Sequence, residues 1–456
     1  MRSVLVCPSC ETQMPGLSAA PLPFSCPGQA ERPAYDHVLR RKLSDITLPP
    51  IESSADEKNP FLRFRGLDHI YLAAREAGLS DASYVALVRR LNDAVVRLVG
   101  RGFVETPLEE RLIAGNTVFL KNETENVSGC HKVRHLFPVL VHLEVVKELG
   151  LADPATELVI ASCGNAALAA SILARAAERP LRVFVPEDAE RSVVDTISSL
   201  GAAIEVCPRQ PGIPGDPTYA RFRQAVRSGA VPFSCQGGDQ ALAVQGGKSL
   251  AWELAFSDAP CPDRVFVQVG GGALASSLFS GLEEAVLLGR FPFLPRLHPV
   301  QTAGCFPLVR AYRKLVADIE RVWGFSTLDS EETRALRLRD VLGPEGILRA
   351  LEDAAKRRHE YMWPWETTPH SLAHGILDDE TYDWIGVLRG TLLSGGTPVL
   401  LAEEDVEAGY EMARRETGIS VCPTGAAAFS GYLSWLRTNN AIARERVFVP
   451  LTGKQR

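Results

Sequence analysis

From residue 102 onward, short β-rich runs alternate with helical ones, and this alternation limits the fold more than any other feature of the chain. Candidate strands lie at 117–121, 157–161, 181–185, 203–207, 231–234, 265–269, 297–301, 397–401 and 446–450. Helical stretches fill the intervals, for example 165–178, 188–200, 217–228, 240–256, 272–289 and 404–417. Strands joined through helices pair in parallel, and the crossover helices cover both faces of the resulting sheet. A chain of 456 residues exceeds one comfortable hydrophobic core. The expected fold class is α/β, with two doubly wound parallel-sheet domains, a cleft between them, and an N-terminal arm. The expected units are a ribbon-like segment at 1–30, an arm with helices at 31–101, and catalytic domains at 102–245 and 246–456.

Composition excludes several partners. The formal net charge is −6 and there is no long basic run, so nucleic acid is not expected. The opening MRSVLVCPSC has no apolar run of signal-peptide length. The longest apolar stretches, around 158–174 and 265–282, contain Asn165 or several glycines and read as buried α/β elements. Ten scattered cysteines fit reduced thiols better than a disulfide framework. A cytoplasmic protein without a membrane partner is expected.

Near the N-terminus, Cys7-Pro8-Ser9-Cys10 is half of a zinc ribbon. A structural zinc needs four ligands. Cys26 is followed by Pro27, Gly28 and Gln29, so the fourth thiolate is missing, although His37 could in principle substitute. The expectation is a three-thiolate or absent metal site, hence no zinc, with Cys7, Cys10 and Cys26 as weak candidates only. Residues 11–60 read as an extended arm, and 69–99 show helical spacing broken at Gly78-Leu79-Ser80.

Ligands of parallel sheets bind beyond the carboxyl ends of strands, where loops lead into helices. Four such loops carry chemistry. In KNETENVSGCHKVRHLF (121–137), Lys132 follows the turn Gly129-Cys130 and opens a helix. A desolvated lysine loses its charge and can attack a carbonyl, whereas a solvated one merely begins a helix. Ser162-Cys163-Gly164-Asn165-Ala166 gathers a hydroxyl, a thiol, amides and a carboxamide at a helix N-terminus, which suits a carboxylate or simply caps the helix. Gly270-Gly271-Gly272-Ala273 lets amides approach a phosphate, or makes a tight strand-to-helix turn. Thr424, in Cys422-Pro423-Thr424-Gly425, is locally sufficient as an N-cap.

Taken in order, these loops resemble the fold type II pyridoxal-phosphate enzymes, the tryptophan synthase β-like group that includes threonine synthase and the serine and threonine dehydratases. The likeness runs from Thr106-Pro107-Leu108 to Leu451-Thr452-Gly453. It rests on GCHK at 129–132, SCGNA at 162–166, VFVPEDA at 183–189, LGAAIEV at 200–206, QGGKSLAWEL at 245–254, VGGGAL at 269–274, HSLAHGI at 370–376 and PTGAAA at 423–428. The broken ribbon followed by YDHVLRR resembles threonine-synthase-like N-termini. The resemblance implies pyridoxal 5'-phosphate in the cleft, held by Lys132 as a Schiff base, with Lys132 also moving the α-proton. It implies Asn165 on the cofactor's 3-hydroxyl, Gly270, Gly271, Gly272 and Ala273 on its phosphate, with His131 near that phosphate, and Thr424 at the ring nitrogen. Ser162, Cys163, Gly164, Asn165 and Ala166 would bind the substrate carboxylate. A homodimer is implied as well.

A neutral threonine cannot keep the ring nitrogen protonated as a carboxylate would, which favours elimination or replacement over transamination. Cys130 stands where many relatives have serine, and Val133 where many have aspartate. Cys163 could act as acid or base if the helix N-terminus lowers its pKa, or could be inert. Pro138 is expected to kink the helix after Lys132. Trp363 and Trp365, which lie before His370, could wall a substrate pocket or serve as buried packing, and His370 and His374 read as core residues. The implied function is elimination or replacement at the β or γ carbon of a small amino acid. The alternative is a non-catalytic or regulatory relative that binds pyridoxal phosphate as a partner subunit.

Overall fold

The computed structural model describes residues 1–47, 49, 51, 56–152, 156–209, 215–324, 329–439 and 444–456. Twelve strands are present among them: β1 (Arg2–Val6), β2 (Arg40–Ser44), β3 (Leu108–Ile113), β4 (Asn116–Asn122), β5 (Leu158–Ala161), β6 (Leu181–Val185), β7 (Ala203–Val206), β8 (Val231–Pro232), β9 (Arg264–Gln268), β10 (Arg296–Thr302), β11 (Val399–Leu401) and β12 (Arg446–Leu451). They form a hairpin of β1 and β2, a six-stranded sheet in the order β11-β10-β9-β12-β4-β3, and a four-stranded sheet in the order β7-β6-β5-β8. All pairings in the two larger sheets are parallel except β3 with β4. This is the α/β architecture with parallel sheets that the alternation of runs implies.

Burial explains why the central strands were legible. RVFVQ of β9 is buried at every position, as a strand covered on both faces must be. LEERLI of β3 exposes Glu110 and Leu112 at the sheet edge, so its charge hid it. The helical stretch expected at 240–256 divides into Ala241–Gly247 and Ser249–Ala255. Pro138 lies inside the helix Lys132–Glu148.

Two expectations change. The 245/246 boundary does not separate the two sheets, because β3 and β4 hydrogen-bond into the six-stranded sheet through β12. Periodicity identifies strands but does not choose their partners. The segment 11–60 is not wholly an extended arm, since β2 pairs antiparallel with β1 from Arg2↔Ser44 to Val6↔Arg40. Its Arg41 is buried against Glu284, at 3.3 Å, which ties the hairpin to the body.

Candidate active site

The end of β12 gathers the loops. His131 N–H donates to Thr452 O (3.1 Å), and Lys454 N–H donates to Gly129 O (2.8 Å). Thr452 N–H donates to Gly425 O (3.2 Å), and Cys422 N–H to Gly453 O (2.8 Å). A Cβ on Gly425 would lie 2.6 Å from the Gly453 backbone, so only glycine permits this approach. At the end of β9, Gln268 Nε2 donates to Thr424 O (3.2 Å) and to Thr452 Oγ1. The Lys132, Thr424 and glycine loops are thereby fixed around one strand end.

SCGNA reaches the same place from the four-stranded sheet. Cys130 Sγ donates to Asn165 O (3.8 Å). Arg456 donates through Nη1 to Asn165 Oδ1 (2.6 Å) and through Nη2 to Ser128 O (3.0 Å). The helix Asn165–Ala176 begins after Gly164 with no side chain capping its first amides, which leaves them for an anion.

Beneath the lysine loop lies a buried charge network. Arg134 Nε donates to Glu123 Oε2 (2.7 Å), and Arg134 Nη1 to Glu253 Oε1 (2.5 Å). Lys121 Nζ lies 2.6 Å from Glu253 Oε2. Thr106 Oγ1 donates to Glu123 Oε1 (2.6 Å), and Asn126 Nδ2 to Glu123 Oε2 (3.0 Å). Burial alone would push the Glu123 carboxyl up, but the Arg134 charge overrides it and holds Glu123 at about 2. Two cations and two anions sum to zero net charge, and together they brace β4, the turn and the helix Lys132–Glu148.

Lys132 is half-buried at the first position of that helix. His131 is buried, with Nδ1 3.3 Å from Thr452 O. Burial, and then the Lys132 charge, hold its imidazole well below the usual range, so it is neutral. Cys130 is fully buried, with Sγ 3.1 Å from Ser128 Oγ, and burial raises its pKa.

The glycine loop carries an occupant that sequence reasoning missed. A Cβ on Gly270 would lie 2.2 Å from Asp378 Oδ2, and one on Gly271 3.8 Å from the same oxygen. Gly272 has φ +95°, which a side chain would strain. Asp378 keeps part of its surface open to the cleft, but the dense protein around it pushes its carboxyl up to about 6, against the pull of Lys132. Asp383 N–H donates to Gly271 O (2.9 Å), and burial pushes its carboxyl up to about 7. No spacing in the sequence pointed to Asp378, Asp383, Gln268 or Arg456, whose roles depend on partners far away in the chain.

Cys163 is exposed. Its pKa is raised, not lowered, by the surrounding protein first and then by Asp188, with further contributions from Asp216 and Asp378. It is therefore a neutral thiol at neutral pH. His370 and His374 are exposed rather than in the core, because their loop lies at the surface. Trp363 and Trp365 are half-buried, with the Arg310 guanidinium 3.7 Å from the Trp363 ring centroid.

Comparison with known proteins gives a consistent answer. The profile of the family described as pyridoxal-phosphate dependent enzyme matches residues 101–453. A serine dehydratase-like protein of Rattus norvegicus is 31% identical over 176 residues, covering 38% of this chain and 49% of the relative. The chain thus spans about half the length of that relative. Threonine synthase of Methanosarcina acetivorans is 22% identical over 358 residues, covering 74% of this chain and 69% of the relative. The processed form of threonine deaminase isoform 2 from Solanum lycopersicum superposes with a TM-score of 0.56 at 13% identity, covering 83% of this chain and 91% of that one. At that identity, the structural likeness concerns the fold alone.

Proposed function

The chain belongs to the pyridoxal-phosphate dependent enzyme family, and on that premise we propose that it catalyses elimination or replacement at the β or γ carbon of a small amino acid. The observation that carries this reading is the convergence of Lys132, Asn165, Thr424 and the glycine loop around the end of β12.

The residues fit the cofactor. The Asp378 carboxylate already packs against Gly270 and Gly271, so the loop meets negative charge where a phosphate would sit. Asp378 must yield that place to a phosphate, and its raised pKa makes the neutral form accessible near pH 6. Asn165 Oδ1 is taken by Arg456, which leaves the amide NH2 to donate to a phenolic oxygen. Thr424 Oγ1 accepts from Gly375 N–H (3.0 Å), so its own proton can be donated to a ring nitrogen.

When bound, pyridoxal phosphate would supply the sink for the electron pair left at Cα. Lys132 Nζ would hold the cofactor covalently until the substrate amine displaces it, and the freed amine would then take up the Cα proton. The amides of Ser162 to Ala166 would hold the substrate carboxylate at the N-terminus of Asn165–Ala176. Thr424 would give the ring nitrogen a hydrogen bond without a charge. This weakens the sink and favours loss of a leaving group over a long-lived carbanion. Cys163, a neutral thiol on the same loop, would serve as a proton donor.

Borohydride treatment of the cofactor-loaded protein should fix the cofactor on the peptide containing Lys132, read by mass spectrometry. L-serine, L-threonine or O-acetyl-L-serine should perturb the cofactor absorbance, with keto acid and ammonia released where elimination occurs. A reducible cofactor retained by Lys132→Ala would defeat the assignment. A coloured protein indifferent to all amino acids would favour the partner-subunit reading. We place a homodimer and a cytoplasmic location in the same proposal, tested by light scattering and by fractionation. No helix among the described residues is long and apolar enough to cross a membrane.

A further inference from the structure

The strongest feature outside the cleft lies in the N-terminal segment, remote in sequence from every residue of the proposed reaction. Cys7, Cys10, Cys26 and His37 bring their ligand atoms within 4.8 Å of one another. Cys7 Sγ lies 3.5 Å from His37 Nδ1, Cys10 Sγ 3.7 Å from the same nitrogen, and Cys10 Sγ 3.5 Å from Cys26 Sγ. A tetrahedral zinc with ordinary bond lengths would set its ligands about 3.8 Å apart between sulfurs and about 3.6 Å apart between sulfur and nitrogen. These three edges lie close to those of that tetrahedron, and the other three are within 4.8 Å.

The surroundings orient these groups as ligands. His37 Nε2 donates to Arg32 O (2.8 Å), which fixes the tautomer and leaves the Nδ1 lone pair facing the sulfurs. Tyr35 stacks on the imidazole, with ring centroids 6.1 Å apart, and holds its plane. A Cβ on Gly28 would come within 2.9 Å of Cys10 Sγ, so the loop after Cys26 closes over the cluster only because that residue is glycine. Cys7, Cys26 and His37 are 0%, 2% and 5% exposed and Cys10 is half-buried, so the cluster is largely shielded from water.

We propose that Cys7, Cys10, Cys26 and His37 bind one structural zinc ion. The fourth ligand, absent as a thiolate, is the histidine, contrary to the sequence expectation of a three-thiolate or absent site. Binding releases the thiol protons and no redox step is involved. The ion fastens the strand that precedes it, β1, to the segment that leads into β2. Next to His37, Asp36 N–H donates to Ala355 O (2.8 Å) and Trp384 Nε1 donates to Asp36 Oδ1 (3.2 Å). The metal knot is thereby coupled to the part of the molecule that carries Asp383 and the cover of the glycine loop.

The test uses the full chain, purified under reducing conditions without chelator. Elemental analysis should find one zinc per chain. Cobalt(II) substitution should give thiolate-to-metal charge transfer together with the visible bands of tetrahedral cobalt. His37→Ala should weaken cobalt binding by at least ~10-fold. His37→Cys should restore it with the spectrum of a four-thiolate site, which separates loss of a ligand from misfolding. Chelation should leave 1–40 open to proteolysis before the rest of the chain. A natively folded protein that contains no zinc and gives no cobalt spectrum would overturn the proposal. So would a Cys10–Cys26 disulfide in peptides from the freshly isolated protein. Neither result bears on the role of Lys132, so the two readings fail separately.

Discussion

Substituting Glu123 by glutamine removes one anion from the network under the lysine turn. With Glu123 ionised, Arg134 and Lys121 are balanced by Glu123 and Glu253, all four at most 3% exposed. Glutamine leaves a buried net charge of one cation and puts an NH2 in place of one oxygen, toward Arg134 and either Thr106 or Asn126, which donate there. The size of the effect follows from linkage. The carboxyl is held at about 2, below an ordinary value of 4.5. Each tenfold change in its ionisation equilibrium corresponds to about 1.4 kcal/mol, so the ionised form contributes about 3 kcal/mol. Removing one partner from a buried ion pair typically costs about 3–5 kcal/mol, which agrees. Because the folded pKa is depressed, the contribution is fully present above pH 4.5 and disappears as pH falls through 2. Urea unfolding followed by circular dichroism should place Glu123→Gln about 3 kcal/mol below the native sequence at pH 7. The gap should be narrower at pH 3.5. A gap under about 0.5 kcal/mol, or one independent of pH, would refute the idea that this carboxylate braces the lysine turn.

Three further outcomes are expected. Asp378→Asn should bind pyridoxal phosphate more tightly than the native sequence at pH 8, since it removes a like charge from the glycine loop. The difference should shrink as pH falls through 6, where Asp378 becomes neutral; equilibrium dialysis measures both. Asp383 Oδ1 has no hydrogen-bond partner, and the folded pKa of about 7 exceeds its ordinary 3.8. The folded state therefore loses stability as pH rises from 3.8 to 7, so Asp383→Asn should raise the denaturation midpoint at pH 8 and do little at pH 4, with a slope of at most about 1.4 kcal/mol per pH unit between. Gly272→Ala, at φ +95° and 3.0 Å from Thr381 Cγ2, should cost about 1–2 kcal/mol of stability and weaken cofactor binding, read by thermal scans with and without cofactor.

Repeated strand and helix patterns were enough to indicate parallel α/β sheets, because a strand covered on both faces must be apolar throughout and a crossover must be helical. The buried VFV of β9 and VFVPL of β12 are such runs. β3 escaped notice because an edge strand keeps charged residues in water, as in LEERLI, and β2 because its charged RRKLS finds a partner for Arg41, Glu284, only in the fold. The lysine at a glycine turn and the glycine run were likewise visible locally, since turn and anion chemistry depend on neighbours in sequence.

Other features needed partners hundreds of residues apart, and these only the tertiary structure decided. That the lysine turn, Thr424 and Gln268 meet at Thr452–Lys454 depends on β12 entering the sheet between β9 and β4. That Asp378 faces Gly271 depends on the loop crossing back over the site. That His37 completes a set with three cysteines depends on β1 and β2 pairing and drawing both ends of their connection together. Spacing along a chain records local geometry, whereas long-range electrostatics and ligand sets arise only when folding brings distant charges and lone pairs within a few ångströms.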